Sequence, residues 1–191
     1  DWYKINVKNP GVVKFTLAKD KNVSVDDVKD GWNVYVYNKA GDKVLDKMEG
    51  VKSSSSVKLT LKKGTYYIKV CAASSYSASY TPTQCIYKLS AMYSKTPAQV
   101  TLTSVKGGKK QETLNWKKAS GATGYYVYRS TSKKGKYKKI ATIKKASTHT
   151  YKDKKSLKSK KTYYYKVVAY RTENGVTATG KASAIKSAKT K

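Results

Sequence analysis

Apolar and polar side chains alternate with a period of two along most of this chain, a pattern typical of half-buried β-strands. The clearest example is "KTYYYKVVAY", residues 161–170. One side of such a strand would carry residues that suit a core: Tyr163, Tyr165, Val167 and Ala169. The other side would carry a lysine among aromatic and apolar side chains: Tyr164, Lys166, Val168 and Tyr170. The stretch therefore predicts a strand with one buried face and one face open to contacts.

Residues 1–93 repeat this alternation in short segments separated by turns. The predicted strands are "WYKINV", "VVKFTL", "GWNVYVYN", "SVKLTL", "KKGTYYIKVC" and "CIYKLSAMY". No stretch has a convincing helical period, although "SVDDVKD" has room for one short turn, and "SSSS" at 53–56 is expected to be a flexible loop. Short strands at this spacing predict a β-sandwich.

A boundary follows in "SKTPAQVTL", where Pro97 blocks strand continuation and a fresh strand starts at Val100. Further strands are predicted in "ETLNWKKA", "TGYYVYRS", "YKKIATI", "HTYKD", "KTYYYKVVAYR" and "ATGKASAIKSA". The fold class is therefore expected to be all-β, with two tandem sandwiches at residues 1–93 and 98–191 and a short linker at 94–97. Because the sequence opens on a strand pattern without an initiator Met, we expect it to be a segment of a longer protein.

The second sandwich resembles a fibronectin type III domain over about residues 96–191. An early-strand Trp116 precedes the strand "GYYVYRS", and Leu157 stands six residues before Tyr163. In that immunoglobulin-like family, a tyrosine at the position of Tyr163 forms the tyrosine corner. The lysine-rich turns resemble those of surface proteins from Gram-positive gut bacteria.

The first sandwich resembles the bacterial pre-peptidase C-terminal domain. The segments "DWYKINV", "WNVYVYNKAGDKV", "KKGTYYIKV" and "YKLS" occur in the order of that family. The resemblance implies a jelly-roll-like accessory module of an exported protein, and hence an extracellular or wall-attached location. From the resemblance, we expect the family's first strand to be missing or displaced in this sequence, and with it the acidic segment by which some relatives hold calcium.

The charge is strongly positive and unevenly distributed. The formal net charge is +30, and only Arg129 and Arg171 are arginines among the 41 basic residues. Residues 1–93 hold 15 lysines and 8 acidic residues, a net +7, whereas residues 94–191 hold 26 basic and 3 acidic residues, a net +23. Weak binding to polyanions is expected from the second half, although a lysine-coated soluble surface explains the same numbers. Specific nucleic-acid reading is disfavoured because base recognition relies on arginine and a recognition motif.

Catalytic chemistry has few candidates in the sequence. His149 is the single histidine, and no phosphate-binding glycine loop, serine elbow or HExxH motif occurs. We therefore expect no enzyme activity, no cofactor and no metal site. Aspartates cluster at 26, 27 and 30 and flank a turn as Asp42 and Asp46, but turn formation explains them better than calcium binding. No apolar run approaches the roughly 20 residues of a membrane span, so membrane insertion is not expected.

Two cysteines, Cys71 and Cys85, border strand-like runs and enclose a polar loop. If the flanking strands pair, the sulfurs meet at the base of the hairpin. A disulfide there would contribute on the order of 3 kcal/mol in the chain-entropy model. Two unrelated buried thiols are the alternative.

Three functions remain open: an adhesive or ligand-binding segment of a surface protein, a passive spacer beside a catalytic domain, and non-specific nucleic-acid binding. The first is preferred because neighbouring strands of the second sandwich present more aromatic rings than a spacer needs. The candidate exposed stripe is Tyr126, Tyr128, Tyr164, Lys166 and Tyr170. The expected partner is a host glycoprotein or immunoglobulin, a glycan or an anionic wall polymer.

Overall fold

The structure, a computed structural model, describes residues 1–20, 31–73 and 87–191. The chain divides into two compact units, one of Asp1–Ser94 with Asn174–Val176 and one of Lys95–Glu173 with Thr177–Lys191. Among the described residues, no helix is long and apolar enough to span a membrane. The predicted all-β fold class is confirmed, because each unit is built from β-sheets.

Two sheets form the first unit. Its described strands are β1 (Trp2–Val7), β2 (Gly11–Lys19), β3 (Trp32–Asn38), β4 (Lys43–Val51), β5 (Ser54–Leu61), β6 (Gly64–Ala72) and β7 (Tyr87–Lys95). One sheet has the order β1-β6-β3-β4 and the other the order β5-β2-β7. Over its described residues, the unit is therefore a sandwich of a four-stranded and a three-stranded sheet.

Alternate residues of β2, β3 and β6 fill the core of the first unit. Phe15 and Val34 are fully buried, and Ile68 is 1% exposed. Burying each such side chain contributes about 1.5–3 kcal/mol relative to leaving it in water. The residues between them in sequence consequently point away from the core, which determines what the outer surface of each sheet carries.

The second unit is also a two-sheet sandwich. Its described strands are β8 (Thr101–Gly108), β9 (Gln111–Lys117), β10 (Gly124–Ser130), β11 (Lys138–Ile143), β12 (Thr150–Asp153), β13 (Thr162–Glu173), β14 (Val176–Thr179) and β15 (Lys186–Lys189). One sheet has the order β12-β9-β8. The other has the order β11-β10-β13-β14, with β15 also paired to β13. Immunoglobulin-like sandwiches divide their strands between two sheets in this way.

The core of the second unit contains the residues that alternation placed inside. Tyr125, Val127, Tyr165 and Val167 are completely buried, and Tyr163 is 4% exposed. Strand β13 places Tyr165 and Val167 opposite β10, where Val127 pairs with Val167 and Tyr125 with Ala169. The inward set predicted for residues 161–170 is thus confirmed, since Ala169 is completely buried as well.

The predicted tyrosine corner is present. The hydroxyl of Tyr163 accepts a hydrogen bond from the Lys158 backbone N–H at 3.0 Å, and Leu157 beside it is 6% exposed. The bond fixes the turn before β13 to the ring of its second residue. A neutral hydrogen bond of this kind contributes about 1 kcal/mol.

The end of β15 is fastened by Thr190, which is 3% exposed. Its hydroxyl accepts the Lys161 N–H at 3.1 Å and donates to the Lys158 carbonyl at 2.6 Å. The Thr190 N–H also donates to the Lys161 carbonyl at 3.1 Å. One side chain therefore ties the last strand to the turn that precedes β13.

Two local expectations were wrong. Residues 54–56 of the serine run belong to β5, where Ser54–Ser56 pair with β2, because that strand offers unpaired backbone groups. The predicted strand at 178–188 is divided into β14 and β15. The hydroxyl of Ser183 lies between them and accepts the Val167 N–H at 3.0 Å, taking the place of a backbone carbonyl.

Candidate tyrosine and lysine binding face

The outer surface of the sheet containing β10 and β13 carries aromatic rings and lysines. These side chains alternate with the buried set, and the strand register places Tyr128 opposite Lys166 and Tyr126 opposite Val168. Directly opposite residues of an antiparallel pair project from the same side of the sheet. We call this surface the second-unit face; it consists of Tyr126, Tyr128, Tyr137, Lys139, Tyr164, Lys166 and Tyr170.

Tyr170 differs from the expectation of an exposed stripe, because only 8% of it is exposed. It stands opposite Gly124, which has no side chain, so its ring covers that position. The ring stacks on Tyr126 with centroids 4.4 Å apart and planes at 19°. Its hydroxyl donates to the Ile143 carbonyl at 3.3 Å. Tyr170 therefore supports the face from beneath, whereas Tyr126, Tyr128, Tyr164 and Lys166 are half-buried and reach its surface.

Both lysines of the face lie over tyrosine rings. Lys166 Nζ is 5.7 Å from the ring centre of Tyr128 and 4.7 Å from that of Tyr137. Lys139 Nζ is 4.6 Å from the ring centre of Tyr126. Cation–π contacts at exposed sites are worth about 0.5–1 kcal/mol each. They hold the ammonium groups within the aromatic surface instead of letting them extend into solvent.

Tyr137 and Lys139 were not among the predicted site residues. Tyr137 lies just before β11, and its hydroxyl donates to the Lys133 carbonyl at 3.0 Å. A bulge between Val127 and Tyr128 shifts the pairing with β11, so that Lys139 stands opposite Tyr128. The segment "GKYKKI" was the only signal, and the bulge that aims it cannot be read from the alternation.

Two tyrosines of this face, Tyr126 and Tyr137, have a raised pKa and stay neutral at physiological pH. Burial raises the pKa of Tyr126 above its ordinary value, and the neighbouring Tyr170 and Tyr128 hydroxyls raise it further. Burial and the nearby Tyr164 raise the pKa of Tyr137 in the same way. The charge on the face therefore comes from its lysines.

No carboxylate lies on the second-unit face. Residues 94–191, of which the structure describes every one, contain only three acidic residues. Glu112 and Asp153 are fully buried, and Glu173 Oε2 accepts the Arg171 Nε–H at 2.9 Å. The face is consequently a positively charged surface without an internal counter-charge.

The buried acids form a cluster inside the second unit that sequence reasoning missed. Arg129 Nη1 donates to Asp153 Oδ2 at 2.8 Å, and the Tyr165 hydroxyl donates to the same oxygen at 2.9 Å. Neither oxygen of Glu112 has a hydrogen-bond partner. Burial raises the pKa of Glu112 to about 7, with the Asp153 charge adding to the effect and the Tyr165 hydroxyl and Arg129 opposing it. Arg129, one of the two arginines of the chain, thus pairs with a buried carboxylate.

The remaining candidates form no reactive arrangement. His149 is exposed, with Nδ1 3.3 Å from the Ser147 carbonyl oxygen. The Asn38 side chain accepts the backbone N–H of Asp42 and donates to its carboxylate, at 2.9 and 2.8 Å, so Asp42 belongs to a turn. Across residues 1–20, 31–73 and 87–191, no three histidine, cysteine or acidic side chains are grouped to hold a metal.

Two predicted features fall on residues that the structure does not describe. Cys85 is outside the described residues, while Cys71 is half-buried on β6, so the disulfide stays a prediction. The aspartates at 26, 27 and 30 also lie outside the described part of the chain.

Comparison with known proteins gives partial likenesses only. No family model matches the chain, and no curated protein matches it. It is similar to a solved Fn3-like protein from Clostridium thermocellum, at 29% identity over 47% of this chain and 86% of the other, with a TM-score of 0.33. Pectate lyase PelI from Erwinia chrysanthemi is 28% identical over 44% of this chain, with a TM-score of 0.35.

The FN1–FN3 domains of chicken CNTN1 align over 100% of this chain and 65% of the other at 15% identity, with a TM-score of 0.39. The chain spans 26% of the pectate lyase chain. The likeness of the first unit to a pre-peptidase C-terminal domain stays a prediction. By its own sheet order and its tyrosine corner, the second unit is a fibronectin type III-like β-sandwich.

Proposed function

We propose that this chain is a non-catalytic binding segment of a secreted or cell-surface bacterial protein. Its second-unit face binds an anionic macromolecule of a host surface or a cell wall. The observation that supports this proposal is the layout of the face, in which lysines lie between tyrosine rings and no carboxylate is present. Tyrosine supplies contact area at low side-chain entropy cost, and the lysines supply charge complementarity.

The surrounding charge strengthens the case for an anionic partner. Residues 94–191 carry a net +23, and the acids of this part of the chain are buried or paired. A field of one sign raises the local concentration of oppositely charged ligands and speeds their encounter. The lysines outside the face thus attract the partner, and the tyrosine rings of the face determine where it binds.

Heparin binding by the full chain, measured at several salt concentrations, tests the proposal. The double variant Lys139→Gln/Lys166→Gln should bind more weakly than the unmodified chain. The slope of log affinity against log salt should also become shallower, by an amount on the order of 0.9 for each lost lysine contact, as found for phosphate contacts on DNA.

A matched control separates the face from the general charge. Lys106→Gln/Lys117→Gln removes the same two charges from exposed positions on β8 and β9, in the other sheet. This control should retain most of the affinity that the face variant loses. Equal losses in the two variants would show that the whole surface, and not the face, binds heparin.

The contribution of the rings has a separate test. Tyr128→Ser/Tyr164→Ser leaves every lysine in place, so steering by charge is unchanged. The variant should nevertheless bind heparin several-fold more weakly, since stacked contacts are lost. Full retention of affinity would reduce the proposal to simple charge attraction. If the unmodified chain bound a short DNA duplex as tightly as it binds heparin, that result would favour the nucleic-acid hypothesis.

A passive spacer is the alternative, and the internal contacts of the face favour it. Tyr126 already stacks on Tyr170, and Lys166 already contacts Tyr128 and Tyr137. Such pairs stabilise a sheet by about 0.2–1 kcal/mol each without any ligand. If the chain is a passive spacer, the ring variants should lower the free energy of unfolding by this amount. The unmodified chain should then bind no polyanion at physiological salt.

A further inference from the structure

The outer surface of the four-stranded sheet in the first unit also carries aromatic rings and lysines. The strand register lines up two neighbouring rows across β1, β6 and β3. One row is Trp2, Lys69 and Tyr35, and the other is Lys4, Tyr67 and Tyr37. We call these six side chains the first-unit platform.

The platform side chains of β3 and β6 point away from the core, because their neighbours in sequence are buried, and the register places Trp2 and Lys4 of β1 opposite Lys69 and Tyr67 on the same side of the sheet. Val34, Val36 and Ile68 alternate with them and are at most 1% exposed. Trp2 is 59% exposed, the largest exposed fraction among the exposed large hydrophobic side chains of the described residues. An exposed tryptophan that adjoins other aromatic rings forms an apolar patch, and such patches often mark an interaction site.

The aromatic rings of the platform are neighbours on the sheet surface, with their planes tilted relative to one another. The ring centres of Trp2 and Tyr37 are 5.5 Å apart with planes at 42°, and those of Tyr35 and Tyr37 are 6.4 Å apart with planes at 32°. Three neighbouring strands span about 10 Å, since strands lie about 4.8 Å apart. The platform is therefore a continuous aromatic surface broad enough for a flat, extended ligand.

Each row of the platform includes one lysine and no acid. Lys69 Nζ is 5.8 Å from the Trp2 ring centre, so the cation lies beside the most exposed ring. At the edge of the rows, Lys43 Nζ is 5.5 Å from the ring centre of Tyr35. The outward positions of β1, β6 and β3 otherwise carry uncharged side chains: Asn6, Asn33, Thr65 and Cys71.

We propose that the first-unit platform binds an acidic polysaccharide, with sugar rings stacked on Trp2 and Tyr37 and carboxylates paired with Lys4 and Lys69. The axial C–H groups of a pyranose form an apolar face, and a glycan ribbon presents these faces in one continuous surface. The neighbouring rings of Trp2, Tyr35 and Tyr37 offer a continuous apolar surface on which those sugar faces can stack. A single-stranded nucleic acid is instead bound by a positively charged groove that follows its phosphates, whereas each row of the platform carries one lysine. The site is independent of the second-unit face.

The test uses the full chain carrying Lys139→Gln/Lys166→Gln, which removes the contribution of the second-unit face. In this background, alginate, a linear chain of uronate sugars, should bind and change the fluorescence of the exposed Trp2. Trp2→Ala/Tyr37→Ala should weaken alginate binding about tenfold or more, as expected for aromatic anchors of an interface. Trp2→Phe, which keeps a ring, should restore most of the affinity that Trp2→Ala loses.

Matched probes and a control variant decide the outcome. Met92→Ala removes another exposed hydrophobic side chain, 46% exposed on β7, and should leave binding unchanged. Poly-L-glutamate offers carboxylates without sugars, a neutral β-glucan offers sugars without charge, and oligo(dT) offers bases on phosphates; each should bind more weakly than alginate. Equal binding of any of them, or equal loss in Met92→Ala, would overturn the proposal. Far-UV circular dichroism checks that each variant stays folded.

Discussion

The buried Glu112 makes a sharp prediction about the pH dependence of the second unit. This carboxyl is fully buried, and neither of its oxygens has a hydrogen-bond partner. Burial raises its pKa from an ordinary value of 4.5 to about 7 in the folded protein. Between these values the native state holds a proton that the unfolded chain has released. The free energy of unfolding should therefore fall as the pH rises from about 4.5 to above 7.

The size of this effect follows from the difference between the two pKa values. At about 1.4 kcal/mol per pKa unit, the loss amounts to about 3 kcal/mol above pH 7. Glu112→Gln keeps the shape of the side chain and cannot ionise. Asp153, Arg129 and Tyr165 remain around it, so the variant isolates the titration of one group. At pH 8 the variant should be more stable than the unmodified protein, whereas at pH 4.5 the two should be close.

Urea unfolding provides the assay, with the indole N–H signal of Trp116 in NMR spectra reporting on the second unit. Trp116 is 3% exposed, and its ring centre lies 5.4 Å from that of Tyr125 in the core of that unit. Glu173→Gln is the matched control, because it removes an exposed acid whose pKa is lowered by its hydrogen bond from Arg171. Its effect has the opposite pH dependence, since that ion pair is lost on acidification. Parallel pH profiles for Glu112→Gln and the unmodified protein would refute the reasoning.

Three further predictions concern the fold. A Cβ at Gly124 would collide with the Ile143 carbonyl and the Tyr170 ring; Gly124→Ala should therefore lower the free energy of unfolding by about 1–3 kcal/mol in urea titrations, and a change below about 0.5 kcal/mol would contradict the close contact. Tyr163→Phe leaves the Lys158 N–H without its acceptor and should lower the free energy of unfolding by about 1–3 kcal/mol in the same assay; an unchanged value would contradict the role of this bond. If Cys71 and Cys85 are bridged, oxidised protein should gain two hydrogens in mass on reduction; two free thiols in oxidised material would exclude the disulfide.

Features that depend on local alternation could be predicted from the sequence. Tyr125, Val127 and Tyr165 are buried because a strand places every second residue on one side, and this period is visible without a structure. The tyrosine corner could be predicted as well, since the spacing of Leu157 and Tyr163 is a local signature.

Features that depend on the partner strand could not be predicted in the same way. The burial of Tyr170 follows from the glycine opposite it on β10, and the position of Lys139 follows from a bulge. Arg129 and Asp153 are 24 residues apart and meet only when the two sheets pack. The first-unit platform was missed because Trp2 and Tyr37 lie on strands that are joined through β6.

The hydroxyl of Thr190 has a mechanical consequence. A force applied at Lys191 would pull on β15, which is paired with β13 over only Thr162–Tyr165. Without a fastening, a strand this short would peel away one hydrogen bond after another. The bonds from Thr190 to Lys158 and Lys161, and the bond from the Lys191 N–H to the Gly108 carbonyl at 3.0 Å, must break before peeling begins. Thr190 would thereby share the load with the end of β8 and raise the tension at which this end of the second unit starts to yield.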